Sequence, residues 1–177
     1  MNDISPVARK FVLHWGQMGS RWGINRTVAQ IHALLYISPN PLNAEQIAET
    51  LSIARSNVSS SLKELQGWGV VRVVPQLADR RDYFESIQDV WEMFRTVLDE
   101  RKKREIDPTV ALLRDCMAEL QRGDSSQGVT RERIGRMLEF FETMSAWYEN
   151  VRRLPTKSVI KFVGLGEKLR RWIGGAA

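Results

Sequence analysis

Apolar residues recur every three or four positions along most of the chain, which is the spacing expected of helices with one buried face. In the first third of the chain this pattern predicts four helices, at about residues 7–22, 27–37, 44–51 and 55–66. Pro39 and Pro41 end the second helix, because proline lacks the N–H group that a helix requires. Asn43 and Gln46 are placed to form a capping box at the start of the third helix.

The periodicity changes after residue 69. Val70–Val74 is a mostly β-branched run, residues 75–82 are polar and turn-forming, and Tyr83–Ser86 is a second β-prone run. Two such runs around a polar segment are typical of a β-hairpin. The helical spacing then returns and predicts four more helices, at about residues 87–101, 108–120, 130–154 and 156–173. The predicted fold class is therefore mainly α with one β-hairpin.

The composition is that of a folded protein without a membrane span. The chain of 177 residues is 43% hydrophobic, so it can bury a core. It has no uncharged apolar run of about 18 residues or more, and its N-terminus lacks the pattern of a secretory signal. The single cysteine, Cys116, excludes an internal disulfide. We therefore expect a cytoplasmic location and no membrane partner.

The net charge of +5 is unevenly distributed. Residues 1–87 carry nine Lys or Arg against seven Asp or Glu, residues 88–150 ten against thirteen, and residues 151–177 seven against one. Most of the excess therefore lies in the C-terminal segment. The total charge permits a polyanionic partner but does not identify one, so the positions of individual cations decide.

The third and fourth predicted helices are separated by a tight turn, as in a helix-turn-helix. The fourth helix is expected to expose polar side chains between its apolar positions: Arg55, Ser56, Asn57, Ser59, Ser60, Ser61 and Lys63. Small hydroxyl and amide side chains are poor helix formers, but they donate and accept hydrogen bonds at base edges and phosphates in a DNA groove. The alternative interpretation is an amphipathic helix with a serine-rich solvated face.

The hairpin follows this helix pair directly, which is the order of elements in a winged helix-turn-helix. Its tip reads Asp79-Arg80-Arg81-Asp82, and two arginines at a tip can enter a minor groove or bind phosphate. In the alternative interpretation each arginine pairs with a neighbouring aspartate in a solvated turn. The predicted domains are a winged helix-turn-helix with an N-terminal helix at residues 1–87 and a helical dimerisation region at residues 88–177.

Two segments of the winged-helix region, SIARSNVSSSLKELQGWGVVRVV and ADRRDYFES, resemble the MarR-like winged-helix regulators and are most similar to their GbsR-type branch. The resemblance implies a homodimeric, cytoplasmic transcriptional regulator of double-stranded DNA. It implies a recognition helix at about 55–66 in the major groove and a wing at 70–86 on the flanking groove. By position, the residues that match the family's contacts are Arg55, Ser56, Asn57, Ser59, Ser60, Asp79, Arg80 and Arg81.

The chain departs from the family pattern at two places. Ala54 stands where the family usually has a serine that caps the recognition helix, a change expected to cost about 1 kcal/mol of local stability. Ala29 and Gln30 stand where the second helix of the family carries a Gly-Arg pair.

The helix at 130–154 has an apolar face too wide for a single neighbour, formed by Ile134, Met137, Leu138, Phe140, Phe141, Met144, Trp147, Tyr148 and Val151. This face is interpreted either as a dimerisation surface or as the core of a bundle within the chain. The helix at 156–173 is basic and amphipathic, which suits a dimer helix or a membrane surface. The alternative function is accordingly a winged-helix protein-interaction module with this helix at a membrane.

Catalysis and metal binding are not indicated. No nucleophile is placed beside a base, and His14 and His32 have no partner at metal-ligand spacing, so we expect no enzyme activity, no metal and no cofactor. The aromatic residues have core or interface packing as their commonest role. The GbsR-type resemblance implies a quaternary amine effector, choline or glycine betaine, held by cation–π attraction. The candidate ligand residues are Trp15, Trp22, Trp91, Trp147 and Tyr148.

Overall fold

The computed structural model describes residues 4–77, 79–122, 127–159 and 161. The chain forms two compact units, residues 1–97 and 98–177. The predicted boundary between the DNA-binding and dimerisation regions, at residue 87, remains a prediction. Residues 156–159 and 161 are helical, and the rest of the basic helix expected at 156–173 lies outside the described residues.

Four helices are found where the first third of the sequence predicts them: α1 (Pro6–Arg21), α2 (Arg26–Ile37), α3 (Ala44–Leu51) and α4 (Arg55–Gly67). The helix predicted after the hairpin is α5 (Val90–Arg101). Capping side chains are present at the starts of α1, α2 and α3. The capping box of α3 is present, because Asn43 Oδ1 accepts from the Gln46 N–H at 3.0 Å and Gln46 Oε1 from the Asn43 N–H at 2.9 Å. Helix α5 begins three residues later than predicted, at Val90, since Asp89 Oδ1 accepts from the backbone N–H groups of the first turn.

The hairpin forms two strands, β2 (Val71–Val74) and β3 (Tyr83–Ser86), of a three-stranded antiparallel sheet in the order β1-β3-β2. Strand β1 (Leu42–Asn43) pairs with β3 in the register Leu42 with Phe84 and Asn43 with Tyr83. Strand β1 was not predicted, because a two-residue strand has no periodicity of its own.

The core of the first unit is formed by the inward faces of α1 to α4 and by the sheet. Its fully buried members include Val12, Ile31, Leu34, Leu35, Ile47, Val58, Leu62, Leu65 and Val70. Helices α1 and α2 approach closely at two buried glycines, Gly16 and Gly19. A Cβ atom added to Gly19 would lie 2.4 Å from the Cβ of Ala29, and one added to Gly16 would lie 2.5 Å from the Cγ of Gln30. Ala29 and Gln30, the two residues of α2 that depart from the family pattern, therefore pack against glycines of α1.

The second unit contains the end of α5, a π-helical turn (Lys102–Ile106), α6 (Asp107–Arg122) and α7 (Gly128–Arg152). The expected break before Pro108 is wrong, because the chain stays helical through the π turn. The N–H of Asp107 donates to the carbonyl of Lys102, five residues earlier, which is the hydrogen bond of a π-helix. This wider turn precedes Pro108, which has no N–H to donate, and the helix continues through it. Val110, Leu113 and Leu120 are the buried apolar residues of α6.

Within the described ranges no helix is both long and apolar enough to cross a membrane. The same part of the chain holds no group of three His, Cys, Asp or Glu side chains arranged to bind a metal ion.

Candidate nucleic-acid interface

Helix α4 is joined to α3 by a tight turn at Ser52, which adopts a left-handed conformation with φ 55°. The Ile53 N–H donates to the Ala48 carbonyl at 3.1 Å and closes this turn. As expected from the sequence, Ala54 precedes α4 without any side-chain cap. Helix α4, the second helix of this helix-turn-helix, is therefore held in place by the packing of its buried face and not by a side-chain cap.

The outward face of α4 presents the polar residues that the sequence analysis assigned to it: Arg55, Ser56, Asn57, Ser59, Ser60 and Lys63, all exposed. Ser61 was also expected on this face. That expectation is wrong, because Ser61 is only 5% exposed. It follows Val58 by three residues and precedes Leu62, so the helical period turns it inward.

The exposed side chains of α4 differ in their freedom to bind a ligand. The Ser60 hydroxyl donates to backbone carbonyls of its own helix, those of Ser56 at 3.2 Å and Asn57 at 3.1 Å. Ser56, Asn57 and Ser59 make no side-chain hydrogen bond within the described residues. Their hydroxyl and amide groups are therefore available for hydrogen bonds with a partner.

The tip of the hairpin is organised around Asp79. Its carboxylate accepts from Arg81 Nη2 at 2.6 Å, from Arg81 Nε at 3.0 Å and from the Tyr83 hydroxyl at 2.8 Å. The Arg81 backbone N–H also donates to Asp79, at 3.0 Å. The hydrogen bonds from Arg81 hold the pKa of Asp79 below its usual range, and the same contacts raise the pKa of Arg81. Both groups are therefore charged at neutral pH.

The two tip arginines consequently differ. Arg81 is paired with an aspartate, as in the alternative interpretation of the tip. Arg80 is exposed and makes no ion pair with any residue in the described ranges. Lys63 on α4 is likewise without an ion pair within those ranges.

A groove of about 470 Å³ lies between the helix pair and the hairpin. Its charged lining residues are Glu45, Arg55, Lys63, Arg80, Arg81 and Asp82. Glu45 stands between the two elements, with Oε1 at 3.2 Å from Arg55 Nη1 and Oε2 at 3.5 Å from Arg81 Nη1. Glu45 was not predicted from the sequence, because an acid in the first turn of a helix is fully accounted for by its favourable interaction with the helix N-terminus.

The five candidate ligand residues are divided between the two units. Trp15 stacks on Phe11 at a centroid distance of 5.5 Å and meets the edge of Trp22 at 6.3 Å, while Trp91 meets Phe94 at 6.4 Å. Trp147 and Tyr148 line an apolar groove of about 410 Å³ in the second unit. Burial and a hydrogen bond to Asp99 at 2.8 Å raise the pKa of Tyr148. Their assignment to one effector site remains a prediction.

A smaller cavity of about 150 Å³ in the first unit is lined by Phe11, Trp15, His32, Ala33, Tyr36, Val90 and Met93. His32 is 8% exposed, and its Nε2 lies 3.2 Å from the Ser86 hydroxyl oxygen. Burial lowers the pKa of His32 to about 4, so the imidazole is neutral at pH 7. Of the predicted ligand residues, Trp15 contacts this cavity.

A helix-turn-helix followed by a β-hairpin that flanks its second helix defines a winged-helix domain. Residues 22–82 match the model of the MarR family. The HTH-type transcriptional repressor GbsR of Bacillus subtilis (strain 168) is 22% identical over 155 residues, which cover 83% of this chain and 85% of the relative. The family match over residues 22–82 and the winged-helix fold confirm the predicted resemblance to MarR-like winged-helix regulators and the predicted fold class.

Two solved structures are similar to this chain at low sequence identity. One described as the crystal structure of a transcriptional regulator is 18% identical with a TM-score of 0.66, covering 82% of this chain and 95% of that chain. The crystal structure of the S. aureus MepR-DNA complex is 15% identical with a TM-score of 0.38, covering 75% of this chain and 91% of that chain. The second likeness is too low to transfer contacts to this chain.

Proposed function

We propose that this chain is a transcriptional regulator that binds double-stranded DNA sequence-specifically as a homodimer, with α4 in the major groove and the β2–β3 hairpin as the wing on the flanking groove. The observation that carries the proposal is the shared groove, in which the polar face of α4 and the basic hairpin tip line one surface. The repressor name of the Bacillus relative agrees with it.

The side chains on this surface divide into two roles. Asn57, Ser56 and Ser59 have free amide and hydroxyl groups, which suits the reading of base edges; an asparagine amide pairs with adenine through two hydrogen bonds. Arg55, Lys63 and Arg80 are exposed cations, which suit phosphate contacts that position the protein without reading sequence. Ser60 is bonded to its own helix, so we expect it to contribute least.

The test begins with duplexes selected from a random pool by the full-length protein, followed by binding measurements over a range of salt concentrations. Arg80→Ala is expected to weaken binding to all sequences alike and to reduce the salt slope by about 0.9 per lost phosphate contact. Lys103→Ala, which removes an exposed positive charge from the second unit, is the matched control and is expected to leave the slope unchanged. Asn57→Ala is expected to relax discrimination at one or two base positions.

Failure to select any sequence, or binding that does not depend on salt, would overturn the proposed function. An unchanged base preference in Asn57→Ala would remove that residue from the reading role and leave DNA binding intact.

The homodimer is supported by the outer face of α7. Four large apolar side chains on one stripe are solvent-exposed: Met137 by 54%, Phe140 by 59%, Met144 by 44% and Trp147 by 50%. The neighbouring row, Ile134, Leu138, Phe141 and Tyr148, is half-buried. One row therefore packs within the unit and the other is left for a partner. An apolar stripe of this kind is uncommon on monomers, and a winged-helix module that reads a palindrome requires a two-fold partner.

Light scattering tests this part of the proposal. The wild-type chain is expected at twice its monomer mass of 20.3 kDa, and Phe140→Glu is expected to dissociate it. Ala146→Glu, which adds the same charge to an exposed position away from the stripe, is the control and is expected to remain dimeric. A monomeric wild-type chain, or a Phe140→Glu variant that stays dimeric, would exclude this surface.

We also infer that a small quaternary amine effector binds the cavity beside His32. The cavity offers the rings of Trp15 and Tyr36 for cation–π contacts, and a neutral His32 does not repel a cation. Titration with glycine betaine or choline is expected to change the tryptophan fluorescence, and Trp15→Phe is expected to abolish the change whereas Trp22→Phe retains it. No change at millimolar ligand would exclude quaternary amines.

A further inference from the structure

The carboxylate of Glu45 lies between an arginine of α4 and an arginine of the β2–β3 hairpin. Its two oxygens contact two guanidinium groups on different elements: Oε1 forms an ion pair with Arg55 on α4, and Oε2 accepts from Arg81 on the hairpin. Two oxygens of one phosphate group offer the same pair of acceptors, and arginine is the side chain best suited to such contacts.

The two arginines remain able to exchange this partner. Asp79 occupies the Nε and Nη2 groups of Arg81, so the side chain is fixed while Nη1 stays directed at Glu45. The contact from Nη1 is also the longest that Arg81 makes, at 3.5 Å. The side chain of Arg55 is 69% exposed and that of Glu45 is 40% exposed. Exposed ion pairs of this kind contribute little to stability, so a phosphate can replace the carboxylate at small cost.

We infer that Arg55 and Arg81 form a site for one backbone phosphate that bridges the recognition helix and the wing, and that Glu45 fills this site in the free protein. This inference rests on the proposed DNA binding, and it assigns to Glu45 the role of weakening that binding. Glu45 lowers the affinity for all duplexes, because each binding event must separate its carboxylate from both arginines and hold it near DNA. Glu45 therefore changes the affinity for DNA of any sequence. It does not change the base preference, which depends on the contacts that α4 makes with the bases.

The test compares Glu45→Gln with the wild-type chain on a selected duplex and on a duplex of unrelated sequence. Glu45→Gln is expected to bind both duplexes several-fold more tightly, with no change in base preference. Glu49→Gln makes the same charge change on the same helix outside the groove, and it is expected to bind like the wild-type chain. Thermal melting of both variants shows whether α3 has lost stability, because Glu45 lies in its first turn.

A double-mutant cycle with Arg55→Ala separates displacement of Glu45 from a general effect of charge. If Glu45 competes for Arg55, the gain from Glu45→Gln shrinks when Arg55 is absent. A gain of the same size in both backgrounds would overturn the proposed site, and so would equal or weaker binding by Glu45→Gln. If the wild-type chain binds no duplex at all, the proposed function fails; if it binds and the cycle shows no coupling, only this inference fails.

Discussion

The buried His32 makes the stability of the first unit depend on pH in a calculable way. Burial lowers the pKa of His32 from 6.5 to about 4, and the folded state therefore resists protonation that the unfolded chain accepts readily. Between pH 6.5 and pH 4 the unfolded state binds more protons, so the free energy of unfolding falls as the pH falls. Below about pH 4 both states are protonated and this contribution no longer changes.

The magnitude follows from the difference in pKa. A shift of one pKa unit corresponds to about 1.4 kcal/mol, so the full shift of His32 amounts to about 3 kcal/mol between pH 7 and pH 4. A domain of this size has a total stability of about 5–15 kcal/mol, so the loss is a substantial part of it.

The assay is urea denaturation at several pH values between 7 and 4 for the wild-type chain and for His32→Gln. Glutamine can still donate to the Ser86 hydroxyl oxygen but has no proton to gain in this range. The difference in free energy of unfolding between the two proteins is expected to change by about 3 kcal/mol across the range. His14→Gln, which removes the exposed histidine, is the control and is expected to follow the wild-type curve.

If the free energy of unfolding depends on pH in the same way for the wild-type chain and for His32→Gln, burial does not lower the pKa of His32. Such a result would mean that His32 gains its proton in the folded state without penalty, and hence that water or a charged partner reaches the imidazole.

Three further predictions concern single contacts. Ala54→Ser supplies the missing cap of α4 and is expected to raise the free energy of unfolding by about 0.5–1 kcal/mol; an unchanged denaturation midpoint would show that a side-chain cap adds nothing there. Gly19→Ala is expected to lower the free energy of unfolding by about 1–3 kcal/mol because its Cβ meets Ala29, whereas Gly67→Ala, with open space around it, is expected to be neutral or slightly stabilising in the same denaturation assay. Asp79→Ala releases Arg81 at the wing tip and is expected to weaken DNA binding several-fold without shifting the melting temperature, so an unchanged dissociation constant would contradict the role of Asp79 in positioning Arg81.

Much of the first unit could be predicted from the sequence because its signals are local. Helices α1 to α4 follow from apolar periodicity, and the start of α3 follows from Asn43 and Gln46, which satisfy each other's backbone donors. The absence of a cap at Ala54 is equally local. The position of the hairpin follows from two β-prone runs around a polar segment.

The features that were missed depend on contacts between residues distant in sequence, or on geometry that residue types do not encode. Strand β1 exists only because β3 is there to pair with it. The π turn before Pro108 depends on how the backbone hydrogen bonds rearrange next to a residue without an N–H. Ser61 faces inward although serine is a residue type that suits the surface. Glu45 gains its role only when the hairpin is folded back toward α3, which brings together residues 36 positions apart in sequence.

The proposed function requires that α4 and the wing read a DNA sequence, and selection of bound duplexes from a random pool measures this. The wild-type chain is expected to enrich a two-fold symmetric sequence, and Asn57→Ala is expected to lose the enrichment at one or two positions. Enrichment of no sequence by the wild-type chain, at salt concentrations where it does bind DNA, would contradict the proposed function.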